Sequence, residues 1–281
     1  MRLDVDNLGS IFALGLKKGG KQSTPFARTA TLSREMDTFF SGYMNHLADA
    51  YDLYVTYSGG DDAFVVGSWI NVLHFARRLR ADFGHFACAN SDLSFSAGIF
   101  LCDEHFPVAK FAEHAAEAEE KAKDYESPEG REKDALCVFD HTLSWTQFGE
   151  MLQFSEDLLR CVPETGGEGD PAKISRVLLH RVHRMIKETV SERGRVNLGA
   201  LFRNRTRLHY YVARQKMTHK EIKVGEIPAR TPEEQVDQVT KRVLATLLAH
   251  FSTERDTQAR FLQNFLIATH YVILKTRKRA R

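Results

Sequence analysis

Tyr57-Ser58-Gly59-Gly60-Asp61-Asp62 lies between two short runs, Asp52-Leu53-Tyr54-Val55-Thr56-Tyr57 and Ala63-Phe64-Val65-Val66-Gly67. Both are rich in the β-branched and aromatic residues that form strands. Gly-Gly tolerates positive φ, so the stretch reads as a tight hairpin with two carboxylates directly after its turn. Hard carboxylate oxygens suit a divalent cation such as Mg²⁺, and bare glycines let a phosphate chain approach the backbone. A plain solvated turn uses the same residue types, so the hairpin alone does not decide its chemistry.

The start of the chain adds the second half of a site. In Met1-Arg2-Leu3-Asp4-Val5-Asp6-Asn7-Leu8-Gly9, Leu3 and Val5 alternate with Asp4 and Asp6. A strand here points both carboxylates to one face. Paired beside the hairpin, it lets Asp4 or Asp6 meet Asp61 or Asp62 around one or two metal ions. Two-metal sites align an attacking oxygen with a nucleotide α-phosphate and neutralise the leaving pyrophosphate.

Length and composition fit this picture. The 281 residues suffice for one large or two medium domains. No stretch approaches the roughly twenty apolar residues of a membrane span, and Asp4 and Asp6 interrupt any signal-peptide core. Cys88, Cys102, Cys137 and Cys161 are scattered without CxxC spacing. That argues against a zinc ribbon and for reduced thiols in a cytoplasmic protein. Charge is unevenly divided. Residues 1–140 hold 14 Lys and Arg against 22 Asp and Glu, net −8, and residues 141–281 hold 25 against 15, net +10. An acidic half suits metal binding, and a basic half suits nucleic acid or an acidic neighbour.

Taken in order, the pattern predicts β-α-β-β-α-β-α-β and then helices. Residues 31–51 place Leu32, Met36, Phe39, Phe40, Tyr43, Met44 and Leu47 on one helical face. Trp69 to Phe86 is amphipathic, Leu93 to Phe100 alternates as a strand, Pro107 opens a third helix, and Ala135 to Phe139 is a closing strand. This order predicts an α+β fold: a ferredoxin-like palm with helices on one face, over residues 1–143. Residues 144–281 read as an all-α helical bundle. Within it Asp170-Pro171 is the expected cap of one helix, and Thr231-Pro232-Glu233-Glu234 opens another carrying Val236, Val239, Val243, Leu244, Leu247 and Leu248. Lys17 to Pro25 and Pro163 to Gly169 read as loops. His180 and His183 read as polar surface. Arg203, Arg205 and Arg207, with Tyr210 and Tyr211 nearby, and the basic tail from Lys275 suit a phosphate backbone.

Asp4-Val5-Asp6-Asn7-Leu8-Gly9 together with Ser58-Gly59-Gly60-Asp61-Asp62 resembles the polymerase-cyclase large subunit of type III CRISPR effector complexes. Ser33-Arg34 ahead of Phe39-Phe40, Leu93 to Ile99 and the Ala122-Lys123 helix end add to the resemblance. It covers about residues 1–140, the family's second palm, whose fold is GGDEF/cyclase-like. The resemblance implies ATP as substrate, Mg²⁺ or Mn²⁺ as cofactor, and cyclic oligoadenylates made when the complex captures target RNA. It makes Asp4, Asp61 and Asp62 metal ligands, Ser58, Gly59 and Gly60 a nucleotide-cradling hairpin, Asn7 a ribose or base contact, and Lys123 a phosphate contact. It also implies other complex subunits, guide RNA and target RNA as partners. The family's upstream HD nuclease, first palm and cysteine-rich zinc element do not occur in this sequence. The chain therefore reads as the C-terminal part of a longer subunit, or a split one, without HD cleavage of single-stranded DNA. Its palm then needs a separate first palm or a homodimer.

Two other classes share some of these features. A stand-alone diguanylate-cyclase-like enzyme has a Gly-Gly-acid hairpin, but here Ala63 follows Asp62 and no Arg shortly precedes the hairpin. A catalytically silent assembly subunit, its helices gripping neighbours and RNA, is supported in part by the basic helices.

Overall fold

The alternation Arg2-Leu3-Asp4-Val5 is realised as β1 (Arg2–Val5), with Leu3 and Val5 buried and Arg2 and Asp4 only partly so. This is seen in a computed structural model that describes residues 1–15, 26–103, 105–127, 130, 132–162, 174–191, 196–214, 240, 242, 243, 245, 247 and 255–277. The predicted loops Lys17–Pro25 and Pro163–Gly169, the cap Asp170-Pro171 and the box Thr231–Glu234 lie largely or wholly outside these residues.

β1 is internal to a six-stranded sheet ordered β2-β3-β1-β4-β5-β6. It pairs antiparallel with β3 (Asp62–Val66) on one side and β4 (Phe95–Ile99) on the other. β2 (Tyr54–Gly59) completes the hairpin with β3, its register shifting between Val55 and Tyr57. β5 (Ala135–Val138) runs parallel to β4, and β6 (His141–Ser144) returns antiparallel to β5. The last strand was not expected. Its turn residues Phe139 and Asp140 both have positive φ, 52° and 62°. A two-residue hairpin demands that geometry, usually from Asn-Gly, and Phe-Asp carries no such signal.

Residues directly opposed on antiparallel strands share a face, so the register sorts the sheet. Leu3, Ala63 and Ala97 lie on one face; Asp4, Asp62 and Ser96 lie on the other. The first face is covered by a π-helical turn (Thr38–Tyr43), entered from the largely exposed α1 (Phe26–Asp37) and continued by α2 (Met44–Ala50), and by α3 (Trp69–Phe86). The π turn inserts a residue, so adjacent Phe39 and Phe40 are both buried. Their rings stand 5.3 and 5.9 Å from Phe83, which packs on Phe95 of β4. Leu32 is only partly buried and Tyr43 is exposed, so the predicted stripe narrows to Met36, Phe39, Phe40, Met44 and Leu47.

The expectation of helices on one face holds for these and fails for α4 (Val108–Lys123). Phe64 and Gly98 are both opposite Arg2, and α4 packs on them: Phe111 stacks 5.9 Å from Phe64. A Cβ on Gly98 would collide with the α4 backbone, meeting Glu119 N and standing 2.6 Å from Ala115 O. The absent side chain is what lets α4 lie on the acidic face. Short π-helical residues (Ile11–Gly15) and a three-residue turn (Leu8–Ser10) follow β1.

The chain divides into two compact units, Met1–Phe148 and Gly149–Arg281. α5 (Trp145–Arg160) begins in the first, where Trp145 Nε1 donates to Phe95 O at 3.0 Å. The described residues of the second unit are mostly helical, with an isolated Val190–Val196 bridge. α6 (Arg176–Thr189) packs against α7 (Leu198–Arg214) and α8 (Arg255–Lys275). Ser175 caps α6, accepting from Leu178 N at 3.2 Å. His183 is not a surface group: it is half-buried, with Nδ1 2.9 Å from Thr269 Oγ1 of α8. Of the predicted Val236–Leu248 stripe, Val243 and Leu247 are described, and both are buried. Among the described residues no helix is long and apolar enough to cross a membrane.

Candidate active site

The sheet brings Asp4, Asp61 and Asp62 together. Asp4 on β1 is the register partner of Asp62 on β3, and directly opposed residues project to the same side. Val5 N donates to Asp61 O at 2.9 Å, which sews the hairpin tip to the end of β1. Gly60 sits in the turn with φ +59°, a conformation that strains any side chain. A Cβ on Gly59 would meet nothing within 4 Å, so the backbone there is open to approach.

Like charges mark the cluster. The Asp61 carboxyl is pushed up from the ordinary carboxylate range, by burial first and then by the charges of Asp4 and Asp62, with Lys123 opposing. Lys123, at the end of α4, places Nζ 2.7 Å from Asp4 Oδ2 and 2.8 Å from Glu119 Oε1. Burial pulls its ammonium down in pKa, but the bonds to Asp4 and Glu119 outweigh this and raise it. Glu119 is buried, and its other oxygen stands 2.9 Å from Arg2 Nε, an ionic contact outside hydrogen-bond alignment.

Asp6, expected to join Asp4 at a metal, is instead 2 % exposed and engaged elsewhere. Its Oδ2 accepts from Ser94 Oγ (2.7 Å) and Asp134 N (3.1 Å), and its Oδ1 from Ser96 Oγ (2.8 Å). Burial raises its pKa against these bonds. Asp134 is held in turn by Arg80 at 2.8 Å. Asp6 thus fastens β1 to β4 and to the Lys133-Asp134 loop. Ser58 is also turned to structure: its Oγ donates to Phe40 O at 2.6 Å, fixing the hairpin on the helical run. Asn7, exposed with φ 55°, accepts from Lys133 Nζ at 2.6 Å.

The donor set of Asp4, Asp61 and Asp62 suits a hard divalent cation in kind, and the mutual repulsion felt by Asp61 is what such a cation relieves. As placed, Lys123 supplies the positive charge at Asp4. Among the described residues no three His, Cys, Asp or Glu groups converge as a ready metal cage. The sequence reading missed Arg2, Ser94, Ser96 and Glu119. Ser94 and Ser96 stand in the Leu93 to Ile99 stretch that adds to the resemblance, and Glu119 stands four residues before Lys123 on one helix.

Strand order, acidic hairpin and opposed Asp4 are the features of a palm-like fold. Residues 1–137 match the Cas10/Cmr2 second palm domain, so this part of the chain belongs to that domain family. The CRISPR system single-strand-specific deoxyribonuclease Cas10/Csm1 (subtype III-A) of Streptococcus thermophilus is 38% identical over 151 residues, 53% of this chain and 19% of the relative. The chain spans about a fifth of the length of the curated relatives it matches. In fold it is similar to a Csm1–Csm4 cassette in complex with cA3, with TM-score 0.55 and 22% identity over 86% of this chain and 35% of that one. A Csm1–Csm4 cassette in complex with one ATP gives TM-score 0.54, 22% identity and the same coverages.

Proposed function

We propose that the Gly59-Gly60-Asp61-Asp62 hairpin and Asp4 join ATP into cyclic oligoadenylates when the assembled complex binds target RNA. The observation that carries this reading is the register pairing of Asp4 with Asp62, with Asp61 sewn beside them by Val5. The similar folds with ATP and with cA3 support it. Asp4, Asp61 and Asp62 would hold Mg²⁺ or Mn²⁺; Asp6 would act by fixing β1. A bound cation supplies polarisation of the α-phosphate and neutralisation of departing pyrophosphate.

The chain's own residues do the rest. Open Gly59 admits the phosphate chain to the backbone, Lys123 offers an ammonium to a phosphate oxygen, and Asn7 offers an amide beside the end of β1. A second palm, from another chain or a second copy, would present the other nucleotide. Exposed Arg203, Arg205 and Arg207 on α7, with Phe202 and Tyr210 also exposed, support contact with the RNA of the complex. The deoxyribonuclease activity in the relatives' name is not assigned to this site.

The test is incubation of the complete RNA-bound complex with ATP and Mg²⁺ or Mn²⁺. Cyclic oligoadenylate that disappears with Asp61→Ala/Asp62→Ala is the expected result. Cyclic diguanylate from GTP, or product unaffected by the double substitution, overturns the reading.

A further inference from the structure

We propose that Glu119 is a positioning residue that shares Lys123 with Asp4 and retains it when a divalent cation takes Asp4, an inference that rests on the metal reading above. Lys123 Nζ stands between two carboxylates, 2.7 Å from Asp4 Oδ2 and 2.8 Å from Glu119 Oε1. An ammonium has three hydrogens, and these two acceptors take two of them. The two carboxylates differ in environment. Asp4 is part-exposed beside Asp61 and Asp62, whereas the Glu119 side chain is 5% exposed.

A buried carboxylate is held only against strong partners. Glu119 has Arg2 at 2.9 Å and Lys123. Its backbone is fixed as well, because α4 lies directly on Gly98 at this residue. Glu119 is therefore the immobile end of the relay Arg2–Glu119–Lys123–Asp4, and Asp4 is the end that can exchange. A cation arriving at Asp4 repels the ammonium. Glu119 keeps that ammonium beside the site, where a triphosphate oxygen can take the hydrogen Asp4 releases. Lys123 is then a competitor of the cation before nucleotide arrives and a phosphate ligand afterwards. Glu119 sets the balance between these two roles.

The experiment is Mn²⁺ binding to the nucleotide-free 281-residue chain, followed by electron paramagnetic resonance, with thermal melts of every variant. Lys123→Met removes the competing positive charge and tightens Mn²⁺ by about tenfold or more. Glu119→Gln leaves the ammonium wholly to Asp4 and weakens Mn²⁺ by about tenfold. In the Lys123→Met background, Glu119→Gln has no further effect, which a merely structural role would not produce. Glu119→Asp, which keeps the charge but shortens the reach, moves in the same direction by less and serves if Glu119→Gln does not fold. Wild-type Mn²⁺ affinity in Glu119→Gln, a weakening that persists without Lys123, or looser binding in Lys123→Met overturns the proposal and leaves the metal reading standing. A wild-type chain that binds no Mn²⁺ overturns both.

Discussion

Asp4 and Asp62 stand directly opposite one another on β1 and β3, a register that holds cross-strand side chains roughly 4.5–5.5 Å apart at Cβ. With Asp61 at the adjoining turn, three carboxylates share a small area and Lys123 answers only part of their charge. A cation that binds this area favours the folded state by mass action. Adding Mn²⁺ to the chain raises its melting temperature in a saturable way, and Asp61→Asn/Asp62→Asn abolishes the rise. A melt insensitive to Mn²⁺ in the wild type refutes the assignment.

Gly59 separates folding from chemistry. Its Cβ position is empty, so Gly59→Ala leaves unfolding free energy within about 0.5 kcal/mol. The added methyl faces the path assigned to the nucleotide, so oligoadenylate formation by the assembled complex falls by tenfold or more, about 1.4 kcal/mol. Unchanged synthesis with unchanged stability removes Gly59 from the site.

Gly98 does the opposite. Gly98→Ala drives a Cβ into the α4 backbone at Glu119 and Ala115. The fold loses about 3 kcal/mol, the upper range for overpacking, because backbone rather than a side-chain tip must yield. Urea denaturation measures this, and a loss under about 1 kcal/mol shows that α4 can shift.

Asp6 is expected to behave as a structural acid. Asp6→Ala strands Ser94, Ser96 and the Asp134 amide in a buried setting, costing about 3 kcal/mol. Chemical denaturation of wild type and variant gives the difference. Near-native stability combined with lost Mn²⁺ binding returns Asp6 to the ligand set.

His183 makes the second unit sensitive to acid. Burial, with the nearby charges of His270 and Lys187, lowers its pKa from 6.5 to about 4. The unfolded chain therefore binds a proton that the folded one refuses. The stability present above pH 6.5 is lost as pH falls toward 4. After allowance for solvent screening the loss is about 1–2 kcal/mol. His183→Gln flattens this part of the profile, measured as denaturation midpoints between pH 7.5 and 5. A variant that keeps the wild-type slope assigns it to other groups.

The sequence alone determined the local elements of the palm and the residue types of its site. Alternation at Leu3 and Val5, Gly59-Gly60 between β-rich runs, and helical stripes are short-range signals, and short-range sterics and periodicity produce them. The added β6 escaped because Phe139 and Asp140 take a turn that their residue types do not announce. Tertiary structure decided which acid faces which partner. Asp4 and Asp6 share a strand face by period, yet Asp4 meets Asp62 and Lys123 while Asp6 is taken by Ser94, Ser96 and Asp134. The Gly59–Asp62 hairpin reaches Asp4 through strand register. Glu119 reaches Asp4 through α4 crossing to the acidic face over Gly98. Such pairings join residues up to 128 positions apart, and they follow from sheet order and helix placement rather than from local pattern.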